Sequence, residues 1–151
     1  MEYTLVMIKP NGVANGLIGK IINRYETSRL SISAIKIKHL SQKEAEGFYA
    51  EHVGKDFFAR LVAFMISGPS ILMVLHGHNA IEAVRVINGA TSPKDAMPGT
   101  IRYDYAPDER KNLVHSSDST ESAKREIAYW FSDEDIVAYA PHSFICKELD
   151  S

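Results

Sequence analysis

Apolar positions along this chain come in short runs whose period switches between two and about three and a half residues, so the elements can be read off in order. Tyr3 to Ile8 is an almost unbroken apolar run, the pattern of a buried first strand, and Lys9-Pro10-Asn11-Gly12 reads as the turn that closes it. From Gly16 onward Leu17, Ile18, Ile21, Ile22 and Tyr25 share one helical face, as far as about Thr27. Residues 31–38, Ser-Ile-Ser-Ala-Ile-Lys-Ile-Lys, alternate as a half-exposed strand does. Ser41 is placed to cap a helix with Glu44 as its reciprocal partner, and that helix ends near Tyr49. After a break at 52–56, Phe57, Phe58, Leu61, Val62 and Met65 mark another helix, stopped by Gly68-Pro69. Ile71 to Leu75 is apolar throughout, as expected of a central strand covered on both faces.

The second half is less regular. Asn79 opens a helix carrying Ile81, Val84 and Ile87, and Gly89 ends it. Between Gly89 and Asn112 the chain holds Pro93, Pro98 and Pro107 with little periodicity, which predicts a long connection without regular structure, and such connections in compact domains are usually functional. Residues 112–115 read as the last strand, 119–131 as a helix with Asp118 as N-cap and Glu121 as its capping-box partner, 133–140 as a short helix, and Pro141 onward as a tail. The order is β-α-β-α-α-β-α-loop-β-α. Without the additions it reduces to βαββαβ, an α/β (α+β), ferredoxin-like arrangement: a four-stranded antiparallel sheet with helices packed on it.

Length and composition narrow the class. At 151 residues, with 45% apolar and 24% charged side chains, residues 1–151 are expected to form a single folded domain. A net charge of −2 provides no broad basic surface for nucleic acid, so any anion site has to be local. No stretch approaches the roughly 18 apolar residues of a membrane span. The amino terminus lacks the pattern of a secretory signal, and the lone Cys146 has no intrachain partner, so a cytoplasmic protein is the default expectation.

Several chemistries can be weighed on spacing. Gly12-Val-Ala-Asn-Gly16-Leu-Ile-Gly19-Lys20 resembles a phosphate loop but has the wrong spacing and lacks the closing hydroxyl residue. His76-Gly77-His78 has no third ligand at a suitable distance, and neither Ser116 nor Ser117 lies in a nucleophile elbow. More informative is His115, at a strand end just before a helix start, where helix N–H groups and the positive end of the dipole suit a phosphate. Taken alone, such a histidine is an ordinary junction residue. Glu126 lies at the edge of the stripe between Ala123 and Trp130; it is either a solvated helix carboxylate or the group that accepts one ring N–H of His115 and leaves the other nitrogen bare for attack. Lys9, Arg85 and Arg102 could serve a polyphosphate only if the fold brought them to the same side as His115.

Asn112-x-x-His115-x-Ser117-Asp118, Lys9-Pro10-Asn11-Gly12, Ser67-Gly68-Pro69, Gly89-Ala90-Thr91-Ser92-Pro93 and Pro98-Gly99-Thr100-Ile101-Arg102 together resemble the nucleoside diphosphate kinase family, over about Tyr3 to Ala138. The resemblance implies a ping-pong transfer in which His115 takes the γ-phosphoryl of a nucleoside triphosphate and passes it to a nucleoside diphosphate, with Mg²⁺ on the phosphates. It implies that Lys9 reaches the sugar 3′-hydroxyl and the transferring phosphoryl, that Asn112 bonds the ribose, and that Tyr49 adjoins the reacting phosphate. It further implies that Arg85, Thr91 and Arg102 hold phosphate oxygens, that Phe57 stacks on the base with broad base and sugar tolerance, and that Glu126 and Ser117 orient His115. A homo-oligomer, hexamer or tetramer built from dimers, is implied as well. Three positions depart from the pattern. Asn11 stands for an aspartate, Ser116 for a glycine or alanine, and Glu109-Arg110 for an apolar residue and glycine near the base. A contrasting reading is a non-catalytic ferredoxin-like nucleotide- or RNA-binding module, against which stand the near-neutral charge and the absence of an aromatic-rich RNA-recognition signature.

Overall fold

The computed structural model describes residues 1–106 and 112–139. Four strands, β1 (Glu2–Ile8), β2 (Ser31–Lys38), β3 (Ser70–Gly77) and β4 (Val114–Ser116), form one sheet in the order β2-β3-β1-β4, with every neighbouring pair antiparallel. This is the ferredoxin-like α+β frame that the reduced βαββαβ order predicts.

The centres of β1 and β3 are almost wholly apolar because each is covered twice. Val6, Ile8, Ile71, Met73 and Leu75 face one side, with Ile21 and Tyr25 of α2 (Ile18–Thr27) and Ala80 and Val84 of α5 (Ala80–Asn88). Leu5, Met7, Leu72 and Val74 face the other, against Ala45 of α3 (Gln42–Phe48), Val62 and Met65 of α4 (Phe58–Met65), and Trp130 at the end of α7 (Thr120–Trp130). Fully burying each such side chain contributes roughly 1.5–3 kcal/mol, so the two layers hold the sheet as a rigid floor for its edges. α3 starts as its sequence predicts: the Glu44 N–H donates to Ser41 Oγ at 3.1 Å and the Ser41 N–H donates to Glu44 Oε1 at 2.9 Å.

The structure differs from the sequence expectations at five places. The Lys9–Gly12 turn is the start of a short helix, α1 (Pro10–Ala14), since proline at the first helical position has its φ preset and needs no N–H. The connection from 89 to 112 is not structureless within its described part: it contains a 3₁₀ turn at Pro93–Asp95 and a further helix, α6 (Ile101–Tyr105), capped by Thr100 Oγ1. β4 is displaced by one to two residues, to Val114–Ser116. α7 is capped by Ser119, not Asp118, with Ser122 in place of Glu121: the Ser122 N–H donates to Ser119 Oγ and the Ser119 N–H to Ser122 Oγ. The expected helix over 133–140 is only a 3₁₀ turn at Asp133–Asp135; the following residues run extended, and the Val137 N–H donates to Ser33 O at 2.8 Å. Pro107, Glu109, Arg110 and the tail from Pro141 lie outside the described residues.

Candidate active site

β4 is the outermost strand beside β1, and His115 is its central residue, opposite Met7. That register turns the imidazole toward the face carrying α3 and α7. There the ring of Phe48 meets it edge-on at 5.2 Å between centroids, and the ring of Tyr49 does so at 6.1 Å. Glu126, two turns into α7, points back at the strand. His115 Nε2 lies 2.9 Å from Glu126 Oε1, Ser117 Oγ donates to the same oxygen at 2.9 Å, and the Leu5 N–H donates to Ser117 Oγ at 3.2 Å. Glu126 is only 6% exposed, so the solvated reading of this carboxylate gives way to the orienting one. A buried carboxylate needs such donors, and with Oε1 accepting, the proton belongs on Nε2 and Nδ1 is left with its lone pair.

A second group of side chains gathers from β1, α5, α6 and the chain leading into β4. The Lys9 N–H donates to Leu113 O at 2.7 Å, and Lys9 Nζ donates to Asn112 Oδ1 at 3.0 Å. Asn112 Nδ2 in turn donates to Thr91 O at 3.4 Å. Between Asn112 and β4, Leu113 takes φ +78°, a left-handed conformation costly for a branched residue, which turns the chain so that Asn112 faces Lys9. Burial, and then the nearby Arg102 guanidinium, push the Lys9 ammonium down to about 8. Arg102, also buried, donates from its two terminal nitrogens to Gly89 O (2.7 Å) and Val114 O (2.8 Å), while its Nε has no partner among the described residues. The carbonyl holding Arg102 thus belongs to the residue just before His115. Gly89 permits this approach: it has φ +85°, and a Cβ there would run into the Thr100 side chain.

Part of this group borders a cleft of about 400 Å³: Arg85, Thr91, Arg102 and Ser116 line it, together with the carboxylates Glu82 and Asp95. Arg85 is exposed and makes no hydrogen bond among the described residues, yet its charge lowers the pKa of Arg102. Lys9, Arg102 and Arg85 therefore form a chain of mutually repelling cations, which an anion would relieve. α6 is held in place from α2: Arg24 donates to Gly99 O at 2.8 Å and to Asp104 Oδ2 at 2.9 Å.

Tyr49 is 5% exposed with its hydroxyl unpartnered among the described residues, and burial followed by the Glu126 charge raises its pKa strongly, which keeps it a neutral donor. Phe57, 40% exposed, joins the group through His52, whose ring is 5.1 Å from Phe57 and 6.3 Å from Tyr49. At the start of α7 the Asp118, Ser119 and Ser122 N–H groups are spent within the cap, so these three are not open to a phosphate. Sequence reasoning missed that cap, although Ser119-x-x-Ser122 is legible one residue past the Asp118-x-x-Glu121 frame. It also missed the place of Ser116 in the cleft, which no sequence pattern marks.

The frame is thus ferredoxin-like, and its site sets an oriented histidine next to a cleft in which Arg85 and Arg102 can hold phosphorylated compounds. Residues 2–136 match the family described as nucleoside diphosphate kinase. The nucleoside diphosphate kinase of Myxococcus xanthus is 55% identical over 139 residues, 92% of this chain and 96% of that one; that of Anaeromyxobacter dehalogenans is 55% identical over 92% and 95%. Among solved structures, a halophilic nucleoside diphosphate kinase from Halobacterium salinarum in complex with CDP aligns with a TM-score of 0.90 at 44% identity, covering 94% of this chain and 95% of that one. The Aquifex aeolicus nucleoside diphosphate kinase aligns at 0.88 and 40% identity, over 90% and 99%. This chain belongs to the nucleoside diphosphate kinase family. It is accordingly a nucleotide-binding transferase for phosphoryl transfer to nucleoside diphosphates, which sets aside the non-catalytic module.

Proposed function

We propose that transfer runs as a ping-pong cycle through a phosphohistidine at His115. The observation that carries this reading is the 2.9 Å contact of His115 Nε2 with the buried Glu126, one residue from Ser116 in a cleft that Arg85 and Arg102 line. In the first half-reaction the Nδ1 lone pair forms a P–N bond to the γ-phosphorus of a nucleoside triphosphate. The bond to the β,γ-bridging oxygen breaks with its electrons, and the diphosphate leaves. In the second, a terminal β-phosphate oxygen of an incoming nucleoside diphosphate attacks that phosphorus, and the P–N electrons return to Nδ1. The Nε2 proton stays where it is throughout, and its bond to Glu126 strengthens as the ring gains positive charge.

Arg85, Thr91 and Arg102 hold phosphate oxygens, Lys9 serves the 3′-hydroxyl and the phosphoryl in transit, Asn112 bonds the ribose, and Tyr49 adjoins the reacting phosphate. The Lys9–Asn112 contact supports a shared sugar-and-phosphate station. Phe57, with a half-open ring face, stacks on the base, which supports broad base and sugar tolerance. CDP in the Halobacterium salinarum relative supports a nucleotide in this cleft. Mg²⁺ would be carried on the substrate's phosphates and would partly neutralise their charge; Arg85, Arg102 and Thr91 would grip the phosphates themselves, in a cleft whose lining also holds Glu82 and Asp95. The match over residues 2–136 supports one domain over the whole chain. A homo-oligomer, hexamer or tetramer of dimers, in the cytoplasm completes the reading. Among the described residues no helix is long and apolar enough to cross a membrane.

Incubation with ATP followed by intact mass tests the cycle. The expected result is an acid-labile adduct of one phosphoryl group that is missing in His115→Ala; an unmodified wild-type protein would overturn it. Glu126→Ala should slow labelling about 10- to 100-fold, the usual loss when a carboxylate orienting a histidine is removed, with nucleotide affinity nearly intact.

A further inference from the structure

Ser116 follows His115 on β4 and opposes Val6, whereas His115 opposes Met7, so the two side chains leave the outermost strand on opposite faces. Ser116 is 9% exposed and borders the cleft with Arg85, Thr91 and Arg102, yet its hydroxyl has no hydrogen-bond partner among the described residues. The neighbouring serines differ: the hydroxyls of Ser117, Ser119 and Ser122 are all engaged within the protein. That of Ser116 opens to the cleft beside Arg85 and Arg102, where an acceptor brought in from outside can take its hydrogen bond, and phosphate oxygens are acceptors. Both terminal nitrogens of Arg102 already carry a bond to a carbonyl, which leaves fewer of its N–H groups for a ligand. The Ser116 hydroxyl adds a further donor to the same cleft.

We propose that Ser116 Oγ is a phosphate ligand of this chain, donating a hydrogen bond to the phosphate group of a nucleotide held by Arg85 and Arg102. This rests on the nucleotide reading above. Calorimetric titration of the full chain with ADP, and with adenosine as the control without phosphate, tests it on wild type, Ser116→Ala and Ser116→Thr. ADP binding should weaken about tenfold in Ser116→Ala, as expected for one hydrogen bond to a charged acceptor, and stay close to wild type in Ser116→Thr, with adenosine binding unchanged in both. The loss in Ser116→Ala should be the same at low and high salt, while the loss in Arg85→Gln should shrink as salt rises. Equal ADP affinity in wild type and Ser116→Ala, equal losses in the alanine and threonine variants, or a matching loss for adenosine would each overturn the assignment. Should the alanine variant melt early, Ser116→Gly takes its place. A wild-type protein that binds ADP and labels on His115 while Ser116→Ala matches it removes only this ligand. A wild type that binds no ADP removes the nucleotide reading itself.

Discussion

Lys9 is where burial and charge are most directly opposed. Its ammonium is buried beside Arg102 and titrates at about 8, against 10.5 for a free lysine. Between those values the unfolded chain holds a proton that the folded chain has released, so stability gains with rising pH across that window; below about 8 the buried charge is a standing cost. Nucleotide binding should move the other way. As pH rises through about 8 the unliganded site loses the positive charge that attracts phosphate, and ADP affinity should fall by up to about tenfold per pH unit until the pKa of the complex is reached. Calorimetric ADP titrations across this range should show the decline in wild type and its absence in Lys9→Met; the same slope in both would show that another group is responsible. Little of this residue's environment is legible in the sequence, because the partner that repels it arrives from 93 positions further along, on an element too short to predict. Glu126 is a similar case. Its position on the stripe leaves its exposure open, and only the meeting of β4 with the third turn of α7 settles it.

At the scale of elements, the aromatic wall around His115 depends on how closely α3 approaches α7. Tyr129 Oη donates to Glu44 O at 2.8 Å, and it occupies the space where a Cβ on Gly47 would sit. Gly47→Ala should therefore push α7 and α3 apart, loosen Phe48 and Tyr49 against His115, and destabilise the fold by about 1–3 kcal/mol, the range for overpacking. In Gly47→Ala/Tyr129→Phe the shortest contact, to the hydroxyl, is gone, and the pair should recover much of that loss, short of the missing hydrogen bond and a ring carbon still 3.3 Å from the new Cβ. Thermal or urea unfolding of the four proteins in the cycle measures the coupling, and strict additivity would refute the contact as the cause. The same scale explains which elements could be read beforehand. α2, α4 and α5 carry an apolar stripe over two turns or more, α3 has the Ser41/Glu44 capping box, and β1 and β3 are nearly unbroken apolar runs at their centres, so pattern alone locates them. α1 and α6 are five residues each, too short for periodicity, and α6 stands because Arg24 holds it from outside through its own Asp104. The capping frame of α7 was ambiguous because two polar pairs, offset by one residue, both satisfy the rule; the serine pair prevails with each partner's side chain accepting from the other's backbone.

For the whole molecule, the βαββαβ order is legible because it requires only element types and short connections, and the antiparallel sheet follows from it. What alternation could not foretell is the inversion in the outer half of β2. Beyond a register shift at Ile32/Ala34, Ile35 and Ile37 are 51% and 62% exposed, while the flanking lysines are the better covered: Lys36 reaches Trp130 O and the Phe131 ring, and Lys38 pairs with Glu44 at 2.9 Å. The first half of the β2 edge is strapped by Val137, which donates to Ser33 O, and by Tyr139, whose hydroxyl accepts from the Ile32 N–H. The second half is thus left as an open, apolar edge, the kind that folded proteins avoid exposing. Under the proposed oligomer, a second copy meets it about a twofold axis, each β2 presenting the same two isoleucines to the other. Burying these side chains should contribute about 1.5–3 kcal/mol apiece, so Ile35→Lys/Ile37→Lys, which also sets like charges against one another, should dissociate the basic dimer at micromolar concentrations. Sedimentation velocity is the measurement: a wild type in hexamers or tetramers and a variant shifted toward monomers with an unaltered far-ultraviolet spectrum is the expected pair. A variant that keeps the wild-type size would place the subunit contact elsewhere and leave this edge of the sheet exposed without a partner.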